Sequence, residues 1–352
     1  MRKLSGVVLP SLFYLILACG ADAGSVKVLS GAYCDAVFEG DIADGDLQQI
    51  QQISDKLFDK LKGVNRDPRL CLNSPGGSFE EGLKIIKYLN SGSVSLNTVI
   101  DKNQKCFSAC ALVFMFGHHN EGDEMDEPHR ELHVLGSLAF HAPYLDFGKG
   151  TYDQNVVMTA YLEGVRAIGR LLDADWYKWF PRPTLIAALK AGPDEAVFAD
   201  SVAIASAWKI DLIGYKEPTE ITSKMLEWAC LNLTKRDDDS VRWLSRWWGD
   251  DDFGAHSVPK EGTNAPIKFV AQKFRATFSG FGSEANYKCI VDVFKSQANK
   301  TYVTINFDAD PNKPVPKPGA LEAAIKKDTF VDTIPNWMLY PSDAKLPTIA
   351  GP

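Results

Sequence analysis

The chain has 352 residues, which at about 150 residues per domain predicts roughly two domains. Hydrophobic residues make up 45% and charged residues 24%, an ordinary globular composition that excludes a fibrous chain or one disordered throughout. The formal net charge is −7 at pH 7. Because an acidic chain without a basic run is a poor ligand for polyanions, we expect neither nucleic acid nor an anionic membrane surface as a partner.

Residues 1–23 have the order of segments found in a secretory signal peptide. Arg2 and Lys3 are followed by an apolar stretch over residues 4–18, and Ala21-Asp22-Ala23 supplies the small-x-small cleavage pattern. The preceding run also resembles a lipobox, in which Cys19 would be lipidated and would anchor the protein to a membrane. We favour cleavage after Ala23, which predicts a periplasmic or secreted protein.

The cysteine count agrees with export. Seven cysteines are present, and apart from Cys19 an even number remains, which favours disulfides in an exported chain. Cys230 and Cys289 lie alone in the C-terminal half, so we expect them to pair with each other. The pairing of the other four is open: Cys34, Cys71, Cys106 and Cys110. No histidine lies at ligand spacing from any of them, so we expect no metal site.

Strands and helices alternate from residue 31 to residue 214, which predicts an α/β domain with parallel βαβ units over residues 31–217. The patterns predict strands at 36–42, 69–73, 94–100 and 134–140, and helices at 46–62, 79–89, 109–116 and 156–172. Residues 120–131 carry six acidic side chains and predict a solvated loop.

Residues 218–352 have a different texture and predict a second, smaller, mainly β domain. Strand patterns lie at 267–278, 287–294 and 302–307, and the proline-studded tail from Pro335 is expected to be extended. We expect the Cys230–Cys289 disulfide to hold this domain together. It contains no catalytic motif, but Trp243, Trp247 and Trp248 suit contact with a ligand or a partner.

Three short segments of the first domain carry residue types that serve chemistry. The first is Asn73-Ser74-Pro75-Gly76-Gly77-Ser78, where two glycines between a strand and a helix expose backbone N–H groups. The second contains Ser108 at the start of a buried helix, and the third places His141 at the end of an apolar strand. Singly, the three are most simply a turn, an N-cap and a structural histidine.

Together, the order and spacing of these segments resemble the ClpP/crotonase superfamily, and specifically the ClpP-type serine proteases. The resemblance covers about residues 36–214 and is nearest to exported bacterial ClpP-like proteins with a Cys-x-Ser-Ala-Cys segment. It implies a fold of repeated ββα/βαβ units and a serine peptidase that acts by acyl transfer. Ser108 would be the nucleophile and His141 the general base, and Gly77 and Ala109 would donate backbone N–H groups to the oxyanion.

The resemblance also implies an acid before the last helix of the domain. Asp194 is nearest to that place, Glu195 is the alternative, and Asp200 fits better as an N-cap. It further implies a peptide or protein substrate, no cofactor, and assembly into a homo-oligomer. The cysteines that flank Ser108 could form a tight disulfide that fixes the nucleophile turn, or could pair with Cys71 or Cys34.

A second hypothesis comes from a different functional class. The same fold could serve as a catalytically inactive periplasmic binding or assembly module, because a fold does not guarantee an activity. The tryptophans of the second domain motivate this alternative.

Overall fold

The computed structural model describes residues 23–30, 33–62, 64, 66–91, 94–119, 127–142, 150–171, 180–192, 195–236, 262–269, 273–281, 287–295, 300–307 and 333–352. Within these ranges no helix is long and apolar enough to cross a membrane. The predicted signal peptide, residues 1–23, lies outside the described residues, apart from Ala23.

The described chain is a mixed α/β structure. Its helices are α1 (Asp46–Lys60), α2 (Phe79–Leu89), α3 (Ala109–Phe114), α4 (Gln154–Leu171), α5 (Arg182–Lys190), α6 (Val202–Ala207) and α7 (Ser223–Arg236). Its strands are β1 (Ser25–Val28), β2 (Ala36–Glu39), β3 (Arg69–Asn73), β4 (Asn97–Ile100), β5 (Lys105–Phe107), β6 (His118–His119), β7 (Glu127–Pro128), β8 (Arg130–His133), β9 (Ser137–Phe140), β10 (Val197–Phe198), β11 (Asp211–Ile213), β12 (Lys273–Phe281), β13 (Tyr287–Lys295) and β14 (Thr301–Phe307).

Two sheets organise the first part of the chain. The larger has the strand order β1-β2-β3-β4-β8-β11, and all neighbours except β1 and β2 are parallel. The smaller has the order β10-β9-β5, in which β5 and β9 are parallel and β10 is antiparallel to β9. The predicted parallel α/β arrangement is therefore confirmed at the level of fold class.

Helix α2 shows why the sequence folds as it does. The Ser78 side chain accepts a hydrogen bond from the Glu81 N–H at 3.2 Å and caps the helix. Ile85, Ile86 and Leu89 recur at helical spacing and are buried. Both bounds of this helix match the sequence prediction, as do those of β3.

Other predicted elements differ in extent. The strands predicted at 94–100 and 134–140 begin only at Asn97 and Ser137, and the buried helix ends at Phe114. The end of the predicted solvated loop is wrong: residues 130–131 belong to β8, where Arg130 is fully buried and donates hydrogen bonds to the carbonyls of Met115, Trp208 and Lys209.

The predicted N-cap at Asp200 is also wrong. The cap of α6 is Ser201, whose side chain accepts a hydrogen bond from the Ile204 N–H at 3.4 Å. Asp200 instead forms an ion pair with Lys345 at 2.6 Å. The carboxylate is half-exposed and lies near the lysine, which the sequence pattern of the helix could not reveal.

The C-terminal part contains the three predicted strands as an antiparallel sheet in the order β12-β13-β14, together with α7. Its tail is not simply extended, because residues 336–339 and 346–349 form 3₁₀ turns. The Asn232 amide of α7 donates to the carbonyls of Met338 and Tyr340 at 2.8 and 2.9 Å. One cluster of buried side chains includes residues on both sides of residue 217, and the boundary there stays a prediction.

Three disulfides are formed among the described residues. Cys230 bonds to Cys289 as expected. The pairing that the sequence left open is Cys34–Cys71 and Cys106–Cys110. Three disulfides are typical of a protein that matures in an oxidising compartment outside the cytosol.

Candidate active site

Ser108 and His141 both follow strands of the smaller sheet. β5 and β9 are parallel neighbours in a register that pairs Phe107 with Ala139. Ser108 therefore leaves β5 at the same edge of the sheet at which His141 leaves β9. This edge, formed by the carboxyl ends of parallel strands, is where α/β sheets commonly bind ligands.

Ser108 lies in a backbone conformation that is rare for residues other than glycine. Its φ is 55° and its ψ is −124°, and its N–H donates to the Ala139 carbonyl at 3.2 Å. The residue stands at the N-cap position of α3, yet its side chain makes no capping hydrogen bond. The hydroxyl is therefore not used in the simplest structural role open to it.

The Gly76-Gly77 turn approaches Ser108 very closely. Gly76 has a φ of 109°, and a Cβ atom there would lie 2.7 Å from the Ser108 Cβ and 2.8 Å from the Phe107 carbonyl oxygen. Gly77 has a φ of 134°, and a Cβ there would lie 2.4 Å from the Ile42 carbonyl oxygen. Only glycine fits at either position, because both the conformation and the space exclude a side chain.

Two backbone N–H groups border this turn. Ile42 forms a parallel bridge with Gly77: the Ile42 N–H donates to the Gly76 carbonyl and the Ser78 N–H donates to the Ile42 carbonyl, each at 2.7 Å. The Gly77 N–H takes no part in this bridge. The Ala109 N–H is the first of α3 and has no acceptor in its own helix. Within the described ranges neither N–H donates a hydrogen bond. Ala109 follows Ser108 directly, so its N–H is available to a negatively charged oxygen beside that residue.

His141 is half-buried, and its Nδ1 lies 2.9 Å from the Ala142 carbonyl oxygen. A carbonyl accepts, so this contact is a hydrogen bond when Nδ1 carries the proton. In that tautomer Nε2 bears the lone pair, which is the form that a general base requires.

One cavity joins the two candidate residues. Ser108, Ala109 and His141 line it, and the other described residues that line it are apolar: Phe79, Leu112, Phe180, Leu185, Ala188 and Leu189. The Phe180 ring packs edge-on against Phe140 with 5.5 Å between centroids, which ties this wall to the residue before His141. A reacting group in the cavity would meet a hydroxyl, an imidazole and a largely apolar lining.

Sequence reasoning did not identify the α5 wall of this cavity. α5 has Pro181 at its N-cap position and a proline in its first turn, a start signal that could have predicted the helix. Nothing in the sequence placed its apolar residues beside Ser108.

The acid that the resemblance implies is not placed among the described residues. Asp194 lies outside the described residues. The Glu195 side chain is exposed and accepts a hydrogen bond from the Gly192 N–H at 3.2 Å. The Ala142 N–H donates to the Ala191 carbonyl at 3.1 Å, so the chain just before position 194 runs beside the residue that follows His141.

His119 and His129 lie elsewhere in the structure, next to Asp67. His119 lies with its Nδ1 2.5 Å from the Asp67 carboxylate, and His129 lies 3.6 Å from the same oxygen. Trp243, Trp247 and Trp248 lie outside the described residues. Among the residues that are described, no group of three or more histidine, cysteine, aspartate or glutamate side chains could hold a metal ion.

Comparison with known proteins adds no identification. No protein-family model matches the chain, and no curated protein is significantly similar to it.

Proposed function

We propose that the protein is an exported serine hydrolase of the ClpP-like type, acting on peptides by acyl transfer. The observation that carries the proposal is the shared cavity: Ser108, held in a left-handed turn, and His141 line it together. The three disulfides support an oxidising compartment, in agreement with the expected signal peptide.

In the proposed reaction the Ser108 hydroxyl attacks the substrate carbonyl and His141 accepts its proton. The resulting oxyanion accepts hydrogen bonds from the N–H groups of Gly77 and Ala109. Collapse of the intermediate expels the leaving amine, which takes the proton from His141. Water then attacks the acyl-enzyme by the same route and regenerates Ser108.

The positive φ of Ser108 supports this assignment. Strained conformations persist where the surrounding structure holds them, and they are concentrated at functional sites. A serine that served only to cap α3 would need neither this conformation nor the close approach of Gly76.

Covalent labelling by a fluorophosphonate probe tests the proposal. We expect wild-type protein to be labelled and Ser108→Ala to be unlabelled, with Ser137→Ala as the control because Ser137 is exposed on the neighbouring strand β9. His141→Ala should slow labelling at least about 100-fold, the usual contribution of a general base. If folded wild-type protein is not labelled, the inactive binding or assembly module becomes the better interpretation.

The same assay decides the acid. We propose Asp194, since the described Ala191 next to this segment is hydrogen-bonded to Ala142. Asp194→Asn should slow labelling, whereas Glu195→Gln should leave it unchanged. The reverse result would assign the role to Glu195.

A further inference from the structure

Two cysteines lie symmetrically about Ser108, two residues before it and two after it. Cys106 belongs to β5, where it pairs with Leu138 of β9 and bridges to Ser74. Cys110 lies in the first turn of α3. Their disulfide brings the two Cα atoms to 5.2 Å and links the strand before the nucleophile to the helix after it.

The start of α3 has no side chain to fix it. Most helices are held at this end by a capping side chain, but none caps α3. The helix has only six residues, too few for its own hydrogen bonds to make its first turn rigid. Yet the Ala109 N–H, the proposed oxyanion donor, belongs to that turn.

Ser108 is hydrogen-bonded on both sides, and on the helix side its carbonyl accepts from the Leu112 N–H at 3.2 Å. Its N–H is bonded to Ala139, and the neighbouring Phe107 N–H donates to the Ser74 carbonyl at 3.1 Å. Both bonds restrain the part of the Ser108 turn that follows strand β5. Within the described part of the chain, the disulfide is the covalent restraint on the side that belongs to the helix.

The length of the closed loop indicates what this disulfide contributes. The Cys106–Cys110 separation is 4 residues, against 37 for Cys34–Cys71 and 59 for Cys230–Cys289. In the chain-entropy account a short loop restrains the unfolded chain least, so this bond should add the least to global stability. Its effect should therefore be mainly local.

The sulfur atoms are also shielded from solvent. Cys106 is 0% exposed and Cys110 1% exposed, so external thiols reach the bond only when the protein opens. A bond placed in this way acts as a permanent restraint.

On these observations, and on the basis of the proposed function, we propose that the Cys106–Cys110 disulfide is the positioning element of the site. It holds the Ser108 hydroxyl and the Ala109 N–H in the geometry that acylation needs. Displacement of reacting groups by about 1 Å can cost about 100-fold in rate. Loss of this bond should therefore slow acylation and leave substrate binding in the apolar cavity nearly unchanged.

The test compares two double variants that each remove one disulfide. Cys106→Ala/Cys110→Ala removes the proposed positioning bond, and Cys34→Ala/Cys71→Ala is the matched control, a buried disulfide at β3 of the larger sheet. The rate of fluorophosphonate labelling is measured over a range of probe concentrations, and the urea midpoint is measured alongside. This separates the maximal labelling rate from the probe concentration that gives half of it.

We expect the first variant to lose at least about 10-fold in maximal rate, with the half-saturating concentration within about 3-fold of wild type. The control should show the larger fall in urea midpoint and a labelling rate close to wild type. An unchanged maximal rate in the folded first variant would overturn the proposal. Equal losses of rate in both variants would also overturn it, because they would indicate general destabilisation.

Two further measurements keep the inference testable on its own. If the alanine variant does not fold, Cys106→Val/Cys110→Ala refills much of the volume of the two sulfur atoms. Amide hydrogen exchange at Leu112, whose N–H donates to the Ser108 carbonyl, should be faster in the variant. This result needs no activity, and unchanged exchange contradicts the proposal. Failure of the wild-type protein to label would instead count against the proposed function.

Discussion

Helices α3 and α4 are both rich in apolar residues, and they lie at opposite extremes of burial. Every residue of α3 is buried. In α4, by contrast, Val157, Met158 and Tyr161 are 52%, 52% and 67% exposed. α3 is apolar on every side and is buried, as the sequence predicts, whereas the apolar residues of α4 do not bring that helix into the core.

The two helices differ in burial because they occupy different positions in the fold. α3 begins at the edge of the smaller sheet and passes into the core shared with α2. α4 is tied to α2 through Arg170, which pairs with Glu80 at 2.7 Å and lies over the Phe79 ring. Exposed apolar surface on this scale is typical of a contact site, and it fits the homo-oligomer that the resemblance implies.

The largest expected effect lies in α3. Phe114→Ala should lower the free energy of unfolding by about 3–5 kcal/mol, because Phe114 is 0% exposed and its removal leaves a cavity. Urea denaturation measures this loss. A cost below about 1 kcal/mol would show that the surroundings of α3 collapse readily, and the contrast with α4 would then disappear.

A change in stability of intermediate size is expected where the segment after α3 contacts Asp67. Asp67 lies beside His119 of β6, and although burial alone would raise its pKa, hydrogen bonds from His129, Ser95 and His119 lower it to about 2, from an ordinary 3.8. A carboxyl with a lowered pKa stabilises the fold fully above about pH 4, and this contribution is lost as the pH falls toward 2. Asp67→Asn should therefore cost about 1–2 kcal/mol at pH 6, after allowance for partial exposure.

Urea midpoints of the Asp67→Asn variant and the wild type, measured from pH 6 to pH 2.5, check the sign. The difference between the two proteins should shrink as the pH falls. A difference that stays constant over this range would mean that Asp67 acts through packing and not through its charge.

The smallest expected effect lies in α4. Tyr161→Ser should change the unfolding free energy of the monomer by no more than about 0.5 kcal/mol, since the side chain is mostly exposed. Sedimentation over a range of concentrations shows whether the wild type associates. If it does, the substitution should weaken association; if Tyr161→Ser destabilises a monomer by several kcal/mol, α4 is buried in solution.

The sequence predicted best those elements whose pattern is local. α2 and β3 have clear periodicity and clear turn residues at their ends, and both were predicted with their observed bounds. β5 has only three residues and α5 is rich in small residues. Neither carries enough periodicity to be predicted from its pattern of apolar residues. Pairing of β5 with β9 is a long-range contact that no local pattern contains.

In the candidate site, too, some features could be predicted from local sequence and others could not. His141 and the Gly76-Gly77 turn follow predicted strands, and Ser108 directly precedes a predicted helix, so their residue types could be interpreted together. The positive φ of Ser108 and the bond between Cys106 and Cys110 depend on how strand and helix meet. The spacing of residues in the sequence does not determine either feature.

The packing of the C-terminal tail has a consequence for the order in which the protein can fold during synthesis. The Val202 N–H donates to the Ala344 carbonyl at 3.1 Å, and the Gly351 N–H donates to the Gly214 carbonyl at 2.8 Å. Trp337, buried at 0% exposure, belongs to the same core as the first sheet. The ribosome must therefore release residues up to about 351 before that core is complete.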